Sequence, residues 1–252
     1  MTTTSSTSTV LRKAEQFQVN AAGGVIRANK PIVGGTSADG VPSAALFYWS
    51  HSHFTGDFEF GLHHHEGFEI VTFVLEGENS HFDTAGSDWT PLHGGDVQII
   101  RSGSGISHNE RIVKDTRAFQ IWFDPGYHAA LEKTPDYTDH PASTFSPHPL
   151  GDLDVTEYIG GDGPVQSNVE ELSVRRMTVR TPTTQTVSLG SDRYSVLYVI
   201  AGPATVDGYP LSTDDAIILR GNEEFVVDAG PECDLFLISL PANPGYAPVR
   251  GR

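Results

Sequence analysis

The chain has 252 residues and carries 32 Asp and Glu against 16 Lys and Arg, a formal charge of −16. Without a cluster of Lys and Arg to meet a phosphate backbone or an anionic bilayer, neither nucleic acid nor a membrane surface is an expected direct partner. The length suits one large or two modest domains, and the single cysteine, Cys233, leaves no internal disulfide, which favours a cytoplasmic protein with a buried, inert thiol.

The opening MTTTSSTST is polar and is expected to be a frayed tail. No run approaches the roughly 18 apolar residues of a membrane span, and the first residues lack a signal-peptide core. Phe47-Tyr48-Trp49-Ser50-His51-Ser52-His53-Phe54 brings a first His-x-His pair, His51 and His53, read as loop or pocket wall because no Gly-rich turn follows it. Short runs rich in β-branched and aromatic residues come next: Ile70 to Leu75, Val97 to Ile100, and Ala118 to Phe123. Turn residues near their ends mark them as strands, and apolar residues at both parities suit strands covered on both faces. A short helix is expected over Tyr127 to Lys133, and the Pro-rich stretch from Thr134 to Pro164 reads as a linker.

Beyond it the pattern returns. A strand ending in Gly, a hairpin, and an acidic turn opening the next strand occur at Phe73–Gly77 with Gly95–Ile100, and again at Tyr198–Gly202 with Asp214–Leu219. This predicts an all-β protein of two tandem β-barrels: a domain over residues 1–135, a linker over 136–163, and a second domain over 164–252. All 11 histidines lie at or before His148. The second barrel therefore has no imidazole for a comparable metal site. Its acids Asp207, Asp214, Asp215, Glu223 and Glu224 are expected in solvated turns, and its role is expected to be structural.

The most informative stretch is Gly61-Leu62-His63-His64-His65-Glu66-Gly67-Phe68-Glu69. On an extended strand residues i and i+2 share a face, so His63 and His65 point together and His64 points away. In Gly103-Ser104-Gly105-Ile106-Ser107-His108-Asn109-Glu110, His108 and Glu110 share parity in the same way. Three imidazoles and a carboxylate suit Fe(II), Mn(II), Ni(II), Cu(II) or Zn(II), with positions left open on an octahedral ion. Three adjacent histidines could also form a solvated patch; the second His/Glu pair and the histidine-free repeat favour the metal.

These motifs resemble the cupin superfamily, and within it the pirins, which are bicupins. HHHEGFEIVTFVLEGENSHFD is similar to the pirin HxHxGFE stretch with its VLEG strand end, and GGDVQIIRSGSGISHNE to the pirin GDVQ followed by G-GI-HxE. The resemblance is specific from Leu62 to Glu110, looser to Asp124, and architectural beyond. It implies two jelly-roll-like cupin barrels and a metal, Fe(II) first, held by His63, His65, His108 and Glu110. Ordinary cupins would use the acid at Glu69; the pirin pattern makes Glu69 a partner for a histidine N–H instead. It further implies a quercetin 2,3-dioxygenase-like activity, opening an aromatic enol with O2 and releasing carbon monoxide, with Glu110 as catalytic base. Phe47, Trp49, Phe54, Phe60, Phe119 and Trp122 are available as apolar walls. The alternatives are a non-enzymatic, redox-sensing iron protein that binds a protein partner, and a cupin oxygenase or isomerase of another metabolite. Glu66 stands where pirins commonly have Arg, which reverses charge at the mouth of the site, and His64 stands where they commonly have Pro, expected at the surface rather than as a fourth imidazole near the pocket.

Overall fold

In a computed structural model, which describes residues 6–34, 36–37, 44–86 and 88–249, the chain is built almost entirely of strands. They begin with β1 (Thr7–Leu11), β2 (Phe17–Ala21), β3 (Ile26–Val33), β4 (Thr36–Ser37), β5 (Leu46–Phe54), β6 (Phe58–Glu59) and β7 (His63–His65). There follow β8 (Glu69–Glu76), β9 (Glu78–Asp83), β10 (Thr90–His93), β11 (Val97–Arg101), β12 (Ile106–Ile112), β13 (Arg117–Phe123), the single helical turn α1 (Tyr127–Ala130) and β14 (Asp136–His140). No helix among the described residues is long and apolar enough to cross a membrane.

The chain divides into two compact units. One runs Phe17–Thr144 and takes up the segment beginning at Tyr246. Its larger sheet has the order β14-β11-β8-β13-β5-β3-β2, with β4 on β3; its smaller sheet has the order β10-β9-β12-β6, with β7 also on β12. The two sheets face each other across a polar interior, where Gln120 Nε2 of β13 donates to Glu110 Oε2 of β12 at 3.0 Å. β8 is buried on both faces from Glu69 to Val74, which is why its apolar residues occupy both parities.

The second unit joins the segment ending at Gln16 to Phe145–Gly245. Its strands are β15 (His148–Leu150), β16 (Leu153–Ile159), β17 (Ser173–Val179), β18 (Thr183–Ser188), β19 (Arg193–Ala201), β20 (Ala204–Val206), β21 (Tyr209–Leu211), β22 (Ala216–Arg220), β23 (Glu224–Ala229) and β24 (Asp234–Pro241). They form a sheet of order β1-β22-β19-β24-β17-β16-β15 and a second of order β18-β23-β20-β21. Leu197, Ile217, Leu235 and Leu237 of the first sheet meet Val206, Phe225 and Val227 of the second in a continuous apolar core. The architecture is that of a bicupin.

Four local expectations need correction. Residues 1–5 of the expected tail lie outside the described residues, but Thr7 to Thr9 belong to β1 and pair with Arg220 to Ile218. The β-branched side chains of Thr7 and Thr9 favour the extended backbone that β22 offers a partner. Residues 136–163, read as a linker, carry three paired strands: β14 lies along β11, and β15 along β16. The helix is shorter than Tyr127 to Lys133, ending at Ala130. Asp214 and Asp215 are buried, not solvated, and clamp the N-terminal segment. Lys13 Nζ meets Asp214 Oδ2 at 2.8 Å, and Arg12 Nη1 meets Asp215 Oδ2 at 2.9 Å.

Candidate metal centre

β7 and β12 run antiparallel with His63 opposite His108 and His65 opposite Ile106. Strand alternation then turns His63, His65 and His108 to the barrel interior and leaves His64 exposed. One ring nitrogen from each of the three lies within 4.8 Å of the others, and the His63 and His108 ring centroids are 4.3 Å apart. His63 Nδ1 is 2.8 Å from the Gly61 carbonyl, which can only accept, so Nδ1 carries a hydrogen and Nε2 is the nitrogen left to meet an ion.

Electrostatics prepare the same cluster. Burial first, then the neighbouring imidazoles His108 and His63, push His65 down to about 3. Burial and then His63 and His81 push His108 down to about 3. Both rings are neutral at physiological pH. His65 Nε2 and both nitrogens of His108 are buried without a hydrogen-bond partner. Leaving such atoms unpaired costs about 1–3 kcal/mol each. Three converging imidazoles, with buried unpartnered nitrogens on His65 and His108, fit a divalent transition ion.

The two acids separate. Glu110 faces the interior beside this cluster, and its charge opposes the lowering of His65. It is not one of the three converging groups. Its Oε1 accepts from Asn79 Nδ2 at 3.2 Å and its Oε2 from Gln120 Nε2 at 3.0 Å. Glu69 is buried but has opposite strand parity to Thr72, which lines the interior cavity, and it lies outside the histidine cluster.

The remaining candidates fall into place around them. His51 and His53 lie in β5, alternating with Ser50 and Ser52 that line the cavity, so they are neither loop nor pocket wall. His51 packs instead on Phe119, with ring centroids 4.9 Å apart. His64 sits at the surface, its Nε2 3.7 Å from Glu66 Oε2, and Glu66 accepts the Tyr127 hydroxyl at 2.9 Å. Of the aromatic residues, Phe54 and Phe60 line the cavity and Trp122 packs on His65 at 5.2 Å. Trp49 and Phe119 are fully buried core, packed edge to face.

Sequence reasoning missed β9. Asn79, His81 and Asp83 alternate along it and are all buried, with His81 opposite Glu110 and Asp83 opposite His108. His81 Nε2 and Asp83 Oδ2 are 2.9 Å apart, and the His81 ring lies 5.4 Å from that of His108. The alternation Asn79-x-His81-x-Asp83 is the same signal that singled out His63 and His65. Phe68 was missed too, and packs on both His65 and Trp122.

Residues 43–123 match the Pirin family model. The chain is similar to a pirin-like protein of Caulobacter vibrioides, 27% identical over 201 residues that span 77% of this chain and 82% of that protein. It is 25% identical to the quercetin 2,3-dioxygenase of Escherichia coli K12 over 185 residues, 72% of this chain and 76% of that one. Among solved structures, the nickel(II) complex of the bacterial pirin YhhW from Escherichia coli superposes with a TM-score of 0.78 at 20% identity, covering 96% of this chain and 100% of that one.

Proposed function

We propose, from the premise that residues 43–123 carry a pirin segment, that the chain is a metal-dependent dioxygenase acting on a flavonol or similar aromatic enol. The observation that carries this reading is the convergence of His63, His65 and His108, with buried, unpartnered nitrogens on His65 and His108. His63, His65 and His108 hold the ion, Fe(II) first, with Glu110 as fourth ligand or as base beside it. Bound there, the ion supplies Lewis acidity and redox chemistry.

The chain's own groups do the rest. Glu110 lies at the border between the histidines and a cavity of about 260 Å³, held in place by Asn79 and Gln120. A hydroxyl presented from the cavity meets that carboxylate, which takes its proton. Phe54, buried, and Phe60, exposed, give an aromatic ring an apolar wall to pack on. The names of two kinds of relative, pirin-like protein and quercetin 2,3-dioxygenase, agree with this chemistry.

The test is oxygen uptake with quercetin and a panel of related enols, using protein reloaded with Fe(II), Mn(II) or Ni(II). Turnover that disappears in His108→Ala is the expected result. A protein that binds one metal yet consumes no oxygen with any of them would sink the dioxygenase reading and favour an iron-dependent regulator of a protein partner.

A further inference from the structure

The cavity beside Glu110 has a polar floor where a barrel core would normally be apolar. Ser50, Gln120 and Thr72 lie in one row across β5, β13 and β8, and Gln98 of β11 continues it. Gln120 donates to Glu110, Gln98 to Asp139 at 2.7 Å, and the Ser50 hydroxyl lies 2.9 Å from that of Ser52, so the row is hydrogen-bonded and gives the cavity polar groups that can orient a ligand. At its β3 end the register shifts: Asn29 pairs with His51 and Ile32 with Trp49, so Lys30 and Pro31 together face Ser50. Proline, without an N–H, is tolerated at this irregularity, and bulges of this kind re-aim a side chain. Here the shift coincides with Lys30 lining the cavity.

Lys30 Nζ lies 4.8 Å from the centroid of the Tyr48 ring, which stacks on Trp122. Among the described residues it forms no ion pair with a carboxylate, in a chain with twice as many acids as bases. The cavity is therefore bipolar. A carboxylate held by two amides stands on one side, and a free ammonium on an aromatic platform on the other. Gln120, the donor to Glu110, and Lys30 are separated by two strand spacings, about 10 Å. Phe54 and Phe60 also line the cavity.

We infer that the cavity binds a hydroxylated aromatic acid, its hydroxyl toward Glu110 and its carboxylate on Lys30. This deepens the dioxygenase reading and rests on it for the chemistry, but not for the binding. Titration calorimetry on zinc-loaded protein, which is redox-inert, compares caffeate with its neutral methyl ester. Caffeate is expected to bind about tenfold more tightly, with the difference shrinking as salt rises. Lys30→Met should abolish the preference and Lys30→Arg should keep it, with the melting temperature reporting that both variants fold. Equal affinity for acid and ester, no binding of caffeate, or an undiminished preference in Lys30→Met would overturn the inference. Absent oxygen uptake, by contrast, overturns the dioxygenase reading alone.

Discussion

At His63 the backbone decides which ring nitrogen is free: the Gly61 carbonyl takes Nδ1–H, and Gly61 itself holds a φ of 76° that few other residues adopt. At His65 and His108 the deciding factor is burial, and it carries a pH signature. In the unfolded chain each imidazole binds its proton near 6.5, but in the metal-free fold only near 3. Between those values the unfolded chain holds more protons, so the histidine contribution is complete above about pH 6.5 and is lost as pH falls toward 3. Metal-free protein should accordingly show a lower urea midpoint at about pH 5 than at about pH 7.5, with a smaller difference in His108→Leu. An unchanged midpoint would contradict the burial of neutral rings. The residue types and their spacing were readable in the sequence; the carbonyl that selects Nε2 was not, because it depends on how Gly61 turns.

Strands supply the alignment that residues alone lack. Alternation along β7 and β12 was legible, since a period of two needs no knowledge of neighbours. What lies opposite was not. β9 reaches β12 only through sheet pairing, and that pairing sets the buried His81–Asp83 pair beside His108. Asp83 also accepts the N–H groups of Ala85 and Gly86 through Oδ1, at 2.7 and 2.8 Å, so its carboxylate is fixed at the strand end. Its charge also acts on His108, opposing the lowering of that ring. Asp83→Asn should weaken metal affinity by roughly 10-fold, read by competition with a chelator, while the circular dichroism spectrum stays that of the parent. Affinity equal to the parent's would show that the pair only fills space. β5 teaches the converse: His51 and His53 repeat the His-x-His spacing, but their parity turns them away from the cavity that Ser50 and Ser52 line.

At the scale of the molecule, two units of similar strand grammar have opposite interiors. One is filled by Leu197, Ile217, Leu237, Phe225 and their neighbours. The other holds Thr72, Gln98, Asn79, His81 and Glu110 in its buried interior. Truncating Leu197 to Ala in the filled unit should cost about 2–5 kcal/mol, with metal binding retained by the protein that remains folded. Metal titration should saturate at one ion per chain, because the apolar-filled unit contributes a single, exposed imidazole, His148, and the converging cluster among the described residues is His63, His65 and His108; a second tight equivalent would overturn this. Cys233, buried in the filled unit and pushed up to about 11 by that burial, should resist thiol reagents until the protein unfolds.

The sequence by itself determined the central strands of the repeat, such as Ile70 to Leu75 and Val97 to Ile100, and the parity of His63, His65, His108 and Glu110, because each is a local pattern. Only the tertiary structure decided which acid faces the cavity, where the N-terminal strand docks, that β9 stands beside the histidines, and that Lys30 lines the cavity. These depend on pairings between strands remote in sequence, where a one-residue shift of register exchanges the two faces of a strand.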